Sequence, residues 1–149
     1  MRTMIRTALI GAMVVGAAGV IQAHVTVAPR QSPGGASERY TMTVPTEGQV
    51  ATTSVELEIP ANVTVTDIVE GTAYTFDARR VNGKIVAITW TQTIPPGARA
   101  QFVFVARNPA SGPIAWKARQ RLADGTSEDW VGVAGDRRPA AVTTLTAGR

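Results

Sequence analysis

Apolar and polar residues alternate in short runs along most of the chain after residue 24. Because successive side chains of a β-strand point to opposite faces, this alternation predicts strands that are buried on one face. The clearest run is Glu38–Val44, in which Glu38, Tyr40, Met42 and Val44 share one face. About eight or nine such runs follow one another, with Pro, Gly, Asn and Asp between them, which is typical of an antiparallel sandwich.

Several runs carry more specific expectations. The Asn82-Gly83 pair predicts a two-residue hairpin between Tyr74–Val81 and Lys84–Thr91, in which Val86, Ile88 and Trp90 share a face. Ala100–Ala106 is nearly all apolar, which predicts a central strand buried on both sides. Val142–Thr146 is expected to be a last edge strand.

The connections and the remaining runs complete the picture. Residues 29–35 are rich in Pro and Gly and predict a loop. Ser54–Ile59 predicts a strand with its aliphatic residues inward, and Ile114, Trp116 and Ala118 define the core face of a later one. No segment beyond the first 23 residues has a helical period. The fold class expected is therefore all-β, with one antiparallel β-sandwich domain at 24–149.

Residues 1–23 have the pattern of a secretory signal peptide. Arg2 and Arg6 give a positive start, and Ala8–Ile21 is an uncharged apolar run of 14 residues. A membrane span needs roughly 20 residues, so cleavage after Ala23 is the favoured interpretation. An uncleaved N-terminal anchor is one alternative. An earlier cut at Ala17-Ala18 is another, and it would leave His24 inside the chain.

Composition narrows the function classes. The chain has no cysteine, which excludes disulfides and thiolate metal sites. Its formal net charge of +4 is scattered, without a basic stripe interleaved with aromatic residues, so a nucleic-acid partner is not expected. No second apolar span follows the first. The mature protein is therefore expected to be periplasmic or secreted, without a membrane anchor.

His24 is the sole histidine and would be the first residue after cleavage. A terminal histidine offers an α-amine and the imidazole Nδ1, which together can close a chelate ring on a metal ion. Nitrogen and oxygen donors in a near-planar arrangement favour Cu(II). Copper(I) prefers sulfur ligands, and zinc prefers four well-placed ligands, which a chain with one His and no Cys cannot easily supply.

Two further residues complete the predicted metal site. If the strands at Val25–Val27 and Glu38–Val44 pair antiparallel, Glu38 folds back near His24 and can supply an oxygen. Trp130, close to the end of its strand, can cover the open side of the metal. The alternatives are that Glu38 is an ordinary rim carboxylate and that Trp130 is a core or rim aromatic residue.

Three segments, Ala23–Val27, Ser37–Pro45 and Asp124–Gly132, resemble the YcnI-like family of exported bacterial copper-binding domains. The resemblance implies a cupredoxin-like or immunoglobulin-like sandwich. It also implies one Cu(II) held in a monohistidine brace, with these roles falling on His24, Glu38 and Trp130. This chain departs from many members in having Ser37 where they have Trp before the Glu. Many members carry a C-terminal membrane anchor, and none is expected for this chain, whose given sequence ends at Arg149.

The function expected is therefore an exported, non-enzymatic Cu(II)-binding protein in copper acquisition, delivery or homeostasis. Other copper-handling exported or membrane proteins are the expected partners. A metal-free adhesion or protein-interaction sandwich is the alternative. An oxidative copper enzyme of the polysaccharide monooxygenase type would need a second histidine, and the chain has none.

Overall fold

The structure is a computed structural model that describes residues 23–148. Residues 1–22, which hold nearly all of the predicted signal peptide, lie outside the described residues. The described chain forms strands only, and none of its segments is a helix long and apolar enough to cross a membrane. The strands are β1 Thr26–Ala28, β2 Gln31–Pro33, β3 Ser37–Pro45, β4 Thr52–Glu58, β5 Thr64–Ile68, β6 Thr75–Val81, β7 Lys84–Ile94, β8 Arg99–Arg107, β9 Ile114–Leu122, β10 Ser127–Trp130 and β11 Ala141–Thr146.

The strands form two sheets that enclose one hydrophobic core. The smaller sheet has the order β1-β3-β8-β5, and the larger has the order β2-β11-β9-β4-β7-β6. The short strand β10 also pairs with β9, beside β11. All of these pairs are antiparallel except β2–β11, which is parallel. The all-β sandwich predicted from the alternation is confirmed, with this one parallel pair added.

Side chains from the inner faces of both sheets meet in an aromatic core. Tyr40 of β3 packs against Trp116 of β9 with ring centroids 4.8 Å apart, and Trp90 of β7 stacks on Phe102 of β8 at 5.0 Å. All four side chains have a relative exposure of 0%. The predicted rows that contain Tyr40 and Trp116 therefore face the opposing sheet, as strand geometry requires.

The predicted hairpin between β6 and β7 is confirmed. Asn82 and Gly83 have φ values of 50° and 78°, which both central residues of a type I′ turn require. The expected common face of Val86, Ile88 and Trp90 is only partly correct. A register shift at Arg79 and Arg80 puts Ile85 into the core and leaves Val86 half-buried. An extra residue in β7 at this bulge changes which of its side chains point toward the core.

Three other expectations are corrected. The predicted loop at residues 29–35 contains β2, which extends the larger sheet. As a result β11 is not an edge strand, because it lies between β2 and β9. The strand β8 is buried on one face only: its even-numbered residues from Ala100 to Ala106 are buried, while Gln101 is exposed. Val103 and Val105 lie on the outer face and are half-buried, so the apolar run does not indicate a second covering layer.

Candidate metal centre

The strand register places His24 at the far end of β3. In the β1–β3 ladder, Thr26 pairs with Thr43 and Ala28 with Thr41. Continuing the same register by two residues puts His24 opposite Pro45, the last residue of β3. His24 is exposed there, next to the loop that follows β3.

His24 and Trp130 come together, as the sequence predicted. Their ring centroids are 5.7 Å apart and the rings meet edge to face, at an interplanar angle of 79°. Trp130 ends β10, and its side chain is only 2% exposed. A buried indole therefore forms one fixed wall beside an exposed imidazole.

Glu47, which the sequence pattern does not single out, is a carboxylate that contacts the residue before His24. The backbone nitrogen of Ala23 donates a hydrogen bond to Glu47 Oε1. Consecutive Cα atoms are about 3.8 Å apart, so the nitrogen of His24 lies within one residue's length of that contact. Ala23 and Glu47 line the same small cleft, of about 240 Å³. A chain that began at His24 would present its α-amine close to a half-buried carboxylate.

The position of Glu47 is fixed by the backbone on both sides of Thr46. The Thr46 nitrogen donates to the Ala98 carbonyl, and the Gly97 nitrogen donates to the Thr46 carbonyl, each at 2.9 Å. This pair of bonds ties the end of β3 to the turn between β7 and β8. Glu47 therefore extends from a segment that is held in place.

The expected proximity of Glu38 to His24 is contradicted by the register. Glu38 is the second residue of β3, whereas His24 lies opposite the last. Seven residues separate these positions, about 23 Å at roughly 3.3 Å per residue. The expectation assumed a hairpin closed by a short loop, but the connection contains β2, which leaves for the other sheet and shifts the register.

Glu38 instead belongs to a polar network at the opposite end of β3. Its Oε2 accepts a hydrogen bond from Ser32 Oγ at 2.7 Å, and Ser32 Oγ accepts one from Asn108 Nδ2 at 2.8 Å. Asn108 Oδ1 in turn accepts from the Tyr40 hydroxyl at 2.5 Å. Burial raises the pKa of Tyr40; the hydrogen bond with Ser32 opposes that rise, and the negative charge of Glu38 adds to it.

His24 also lines an apolar groove of about 570 Å³. Its lining includes Val133 and Val142, which are 73% and 46% exposed. The other lining residues include Val25 to Val27 and the segments 132–135 and 139–142. The imidazole is therefore open to solvent along an apolar surface.

If the chain began at His24, its donors would suit copper(II). Among residues 23–148, no three His, Cys, Asp or Glu side chains converge in a way that could hold an ion. A metal site at His24 would therefore need a backbone nitrogen as well. An imidazole, an α-amine and a carboxylate form a nitrogen and oxygen set of the kind that suits Cu(II).

Two signals in the sequence point toward the missed carboxylate. Pro45 ends the alternating run of β3, and Glu47 follows within two residues, at the rim. In addition, β1 pairs with the last part of the longer strand β3. The residues before β1 therefore lie beside the residues that follow β3, which include Glu47. This second signal can be used only if the register of β1 on β3 is known. That register depends on β2, whose three residues have no strand pattern of their own.

Solved structures with a similar fold define the class of this protein. An uncharacterised protein from Nocardia farcinica with an immunoglobulin-like fold matches with a TM-score of 0.73 and 26% identity, over 83% of this chain and 99% of that one. A non-cellulosomal cohesin from Archaeoglobus fulgidus matches with a TM-score of 0.51 and 16% identity, over 83% and 91%. The chain is an immunoglobulin-like β-sandwich.

The family follows from sequence similarity. Residues 67–145 match the family described as "Domain of unknown function (DUF1775)", and the chain belongs to this family. The chain is also 34% identical over 131 residues to the copper-binding protein CutI of Bacillus subtilis strain 168, which covers 85% of this chain. The matched region covers 64% of the length of CutI. The resemblance to the YcnI-like family is confirmed.

Proposed function

We propose that this protein binds one Cu(II) ion at an N-terminus that begins with His24, after removal of residues 1–23. The amine and imidazole of His24 supply two nitrogens, Glu47 supplies a carboxylate oxygen, and the indole of Trp130 lies beside the metal. The observation that carries the proposal is the contact between the backbone nitrogen before His24 and the Glu47 carboxylate. The similarity to a relative named as a copper-binding protein supports the choice of metal.

The protein is proposed to hold or deliver copper outside the cytoplasm. A site with a single imidazole and an exposed face suits reversible binding, because a partner's ligands can approach the ion from the solvent side. The lone histidine argues against an oxidative copper enzyme that uses two. Other copper-handling exported or membrane proteins are the proposed partners.

The decisive experiment is a Cu(II) titration of protein whose first residue is His24. The matched control is the same protein with an acetylated amine. We expect one Cu(II) per chain, with an affinity at least about 100-fold weaker in the control, because acetylation removes the amine from the chelate. Mass spectrometry of exported protein tests the cleavage position.

Equal affinity for free and blocked termini would eliminate the chelate. No copper binding by any form would favour the metal-free protein-interaction sandwich.

A further inference from the structure

Gln120 is a fully buried polar residue in the core row of β9. It follows Ile114, Trp116 and Ala118 at the same two-residue spacing and has a relative exposure of 0%. An amide side chain that loses contact with water must find partners for its oxygen and its nitrogen, or folding becomes less favourable. Each of its polar atoms has a partner, and these partners lead to the metal centre.

The hydrogen bonds of Gln120 fix the direction of its amide. Its Nε2 donates to the Pro45 carbonyl at 2.8 Å and to the Thr52 hydroxyl at 3.0 Å. Its Oε1 is thereby directed away from these acceptors, and it accepts from the indole Nε1 of Trp130 at 2.6 Å. A flipped amide would place a donor against the indole donor, so only one orientation satisfies all three bonds.

The same side chain therefore connects the two protein walls of the site. On one side it holds the Trp130 indole, whose ring meets His24. On the other side it holds Pro45, two residues before Glu47. Thr52 extends this second connection, because its hydroxyl is 2.7 Å from that of Thr46, the residue directly before Glu47.

We propose that Gln120 is a positioning residue that sets the distance between the Trp130 indole and the Glu47 segment around the metal. The inference rests on the copper function proposed above. An apolar residue could fill the same volume in the core. The Gln120 amide also fixes the orientation of the Trp130 indole, because it accepts the indole hydrogen bond. The indole then keeps one position relative to the exposed imidazole of His24. Partners of metal ligands typically change metal affinity 10- to 100-fold when they are removed.

The test compares three variants of the protein that begins at His24. Gln120→Met keeps the length of the side chain and removes all of its hydrogen bonds. Gln120→Glu keeps an acceptor for the indole. Thr143→Val is the matched control, because the buried Thr143 hydroxyl accepts from Trp116 Nε1 and donates to the Pro29 carbonyl, each at 3.0 Å, and bonds neither Trp130 nor the segment before Glu47.

Three readouts are measured on each variant: Cu(II) affinity, the copper EPR spectrum, and the exchange rate of the Trp130 indole proton by NMR in the metal-free protein. For Gln120→Met we expect about tenfold weaker binding, an altered EPR spectrum and faster indole exchange. Gln120→Glu should recover part of each effect. Thr143→Val should lower stability and leave the copper readouts unchanged.

The outcomes separate this inference from the copper function. Wild-type protein that binds no copper would overturn the function and with it this role. Wild-type binding together with a normal spectrum and affinity in Gln120→Met would overturn the role of Gln120 alone. The same follows if Thr143→Val changes the spectrum as much as Gln120→Met does, since general loosening of the sheet would then explain both. Should Gln120→Met not fold, Gln120→Glu decides: we expect a shifted EPR spectrum, and an unshifted one overturns the role.

Discussion

A carboxylate lies near each end of β3, and the two have different surroundings. Glu38, near the start, accepts a hydrogen bond from Ser32 and belongs to a network that continues through Asn108 to the core hydroxyl of Tyr40. Glu47, just beyond the end, accepts from the backbone nitrogen that precedes His24. The first carboxylate has a structural partner inside the fold, whereas the second contacts the residue before His24, where we propose that a metal ion binds.

The largest expected effect is the pH dependence of copper binding at the Glu47 end. Metal ligation requires deprotonated nitrogens. Protons therefore compete with copper for the amine and the imidazole of His24. We expect the apparent Cu(II) affinity to fall steeply between pH 7.5 and 5, approaching a limit of two protons displaced per ion at the acid end. Competition titrations against a chelator of known pH dependence measure this.

Circular dichroism over the same pH range serves as the control, since the fold should persist while copper is lost. An affinity that stays constant from pH 7.5 to 5 would mean that the amine and imidazole of His24 do not hold the ion.

The second effect separates the two carboxylates directly. Glu47→Gln keeps the shape of the side chain and removes its charge, so it should weaken Cu(II) binding at least about 100-fold, since loss of an outer partner alone costs 10- to 100-fold. Glu38→Gln should leave copper affinity and the EPR spectrum unchanged and should lower stability instead. Titration and denaturant unfolding of both variants measure the contrast.

If Glu38→Gln altered the copper spectrum and Glu47→Gln did not, the assignment of the two ends would be reversed. The original prediction of Glu38 as a ligand would then hold despite its position on β3. Equal effects from both variants would indicate long-range electrostatics rather than ligation.

The sequence predicted the sandwich because strand alternation is a local property. The rows Tyr40-Met42-Val44 and Ile114-Trp116-Ala118 each identify their own core face, and Asn82-Gly83 identifies its own turn. The pair of His24 and Trp130 was also accessible, from the unique histidine and from the family resemblance. None of these inferences requires knowledge of which strand pairs with which.

Glu47 could not be found in the same way because its proximity to His24 is a matter of register. The register of β1 on β3 depends on the length of chain that β2 takes into the other sheet, and Gln31–Pro33 has no strand pattern. Gln120 did carry a signal, a polar residue in an otherwise apolar row. That signal indicates a buried hydrogen-bonded group but does not name its partners.

A third, smaller effect tests whether the Glu38 end is structural. Asn108 is 4% exposed and bonds Tyr40, Ser32 and the Pro33 carbonyl. Asn108→Ala removes three hydrogen bonds and takes away the acceptor of the buried Tyr40 hydroxyl, at a cost of about 2 kcal/mol in the free energy of unfolding. Urea unfolding measures the loss, and Cu(II) affinity should stay within twofold of the wild type. Weaker copper binding in this variant would show that the two ends are coupled.

The smallest effect is expected at alkaline pH, in the same network. The pKa of Tyr40 is raised above its ordinary value of 10.0, so the folded protein keeps the phenol proton where the unfolded chain begins to lose it. The resulting stabilisation is complete below about pH 10 and is lost as pH rises through the folded pKa. Urea unfolding between pH 8 and 11.5 should therefore show a shallower alkaline loss in Tyr40→Phe than in wild type. Tyr74→Phe, which removes a phenol bonded to the Val69 carbonyl at 2.8 Å, is the control. Because the charge of Glu38 contributes to the raised pKa, Glu38→Gln should make the alkaline loss smaller and end it at a lower pH, whereas a like change in Glu47→Gln would contradict the separation of the two ends.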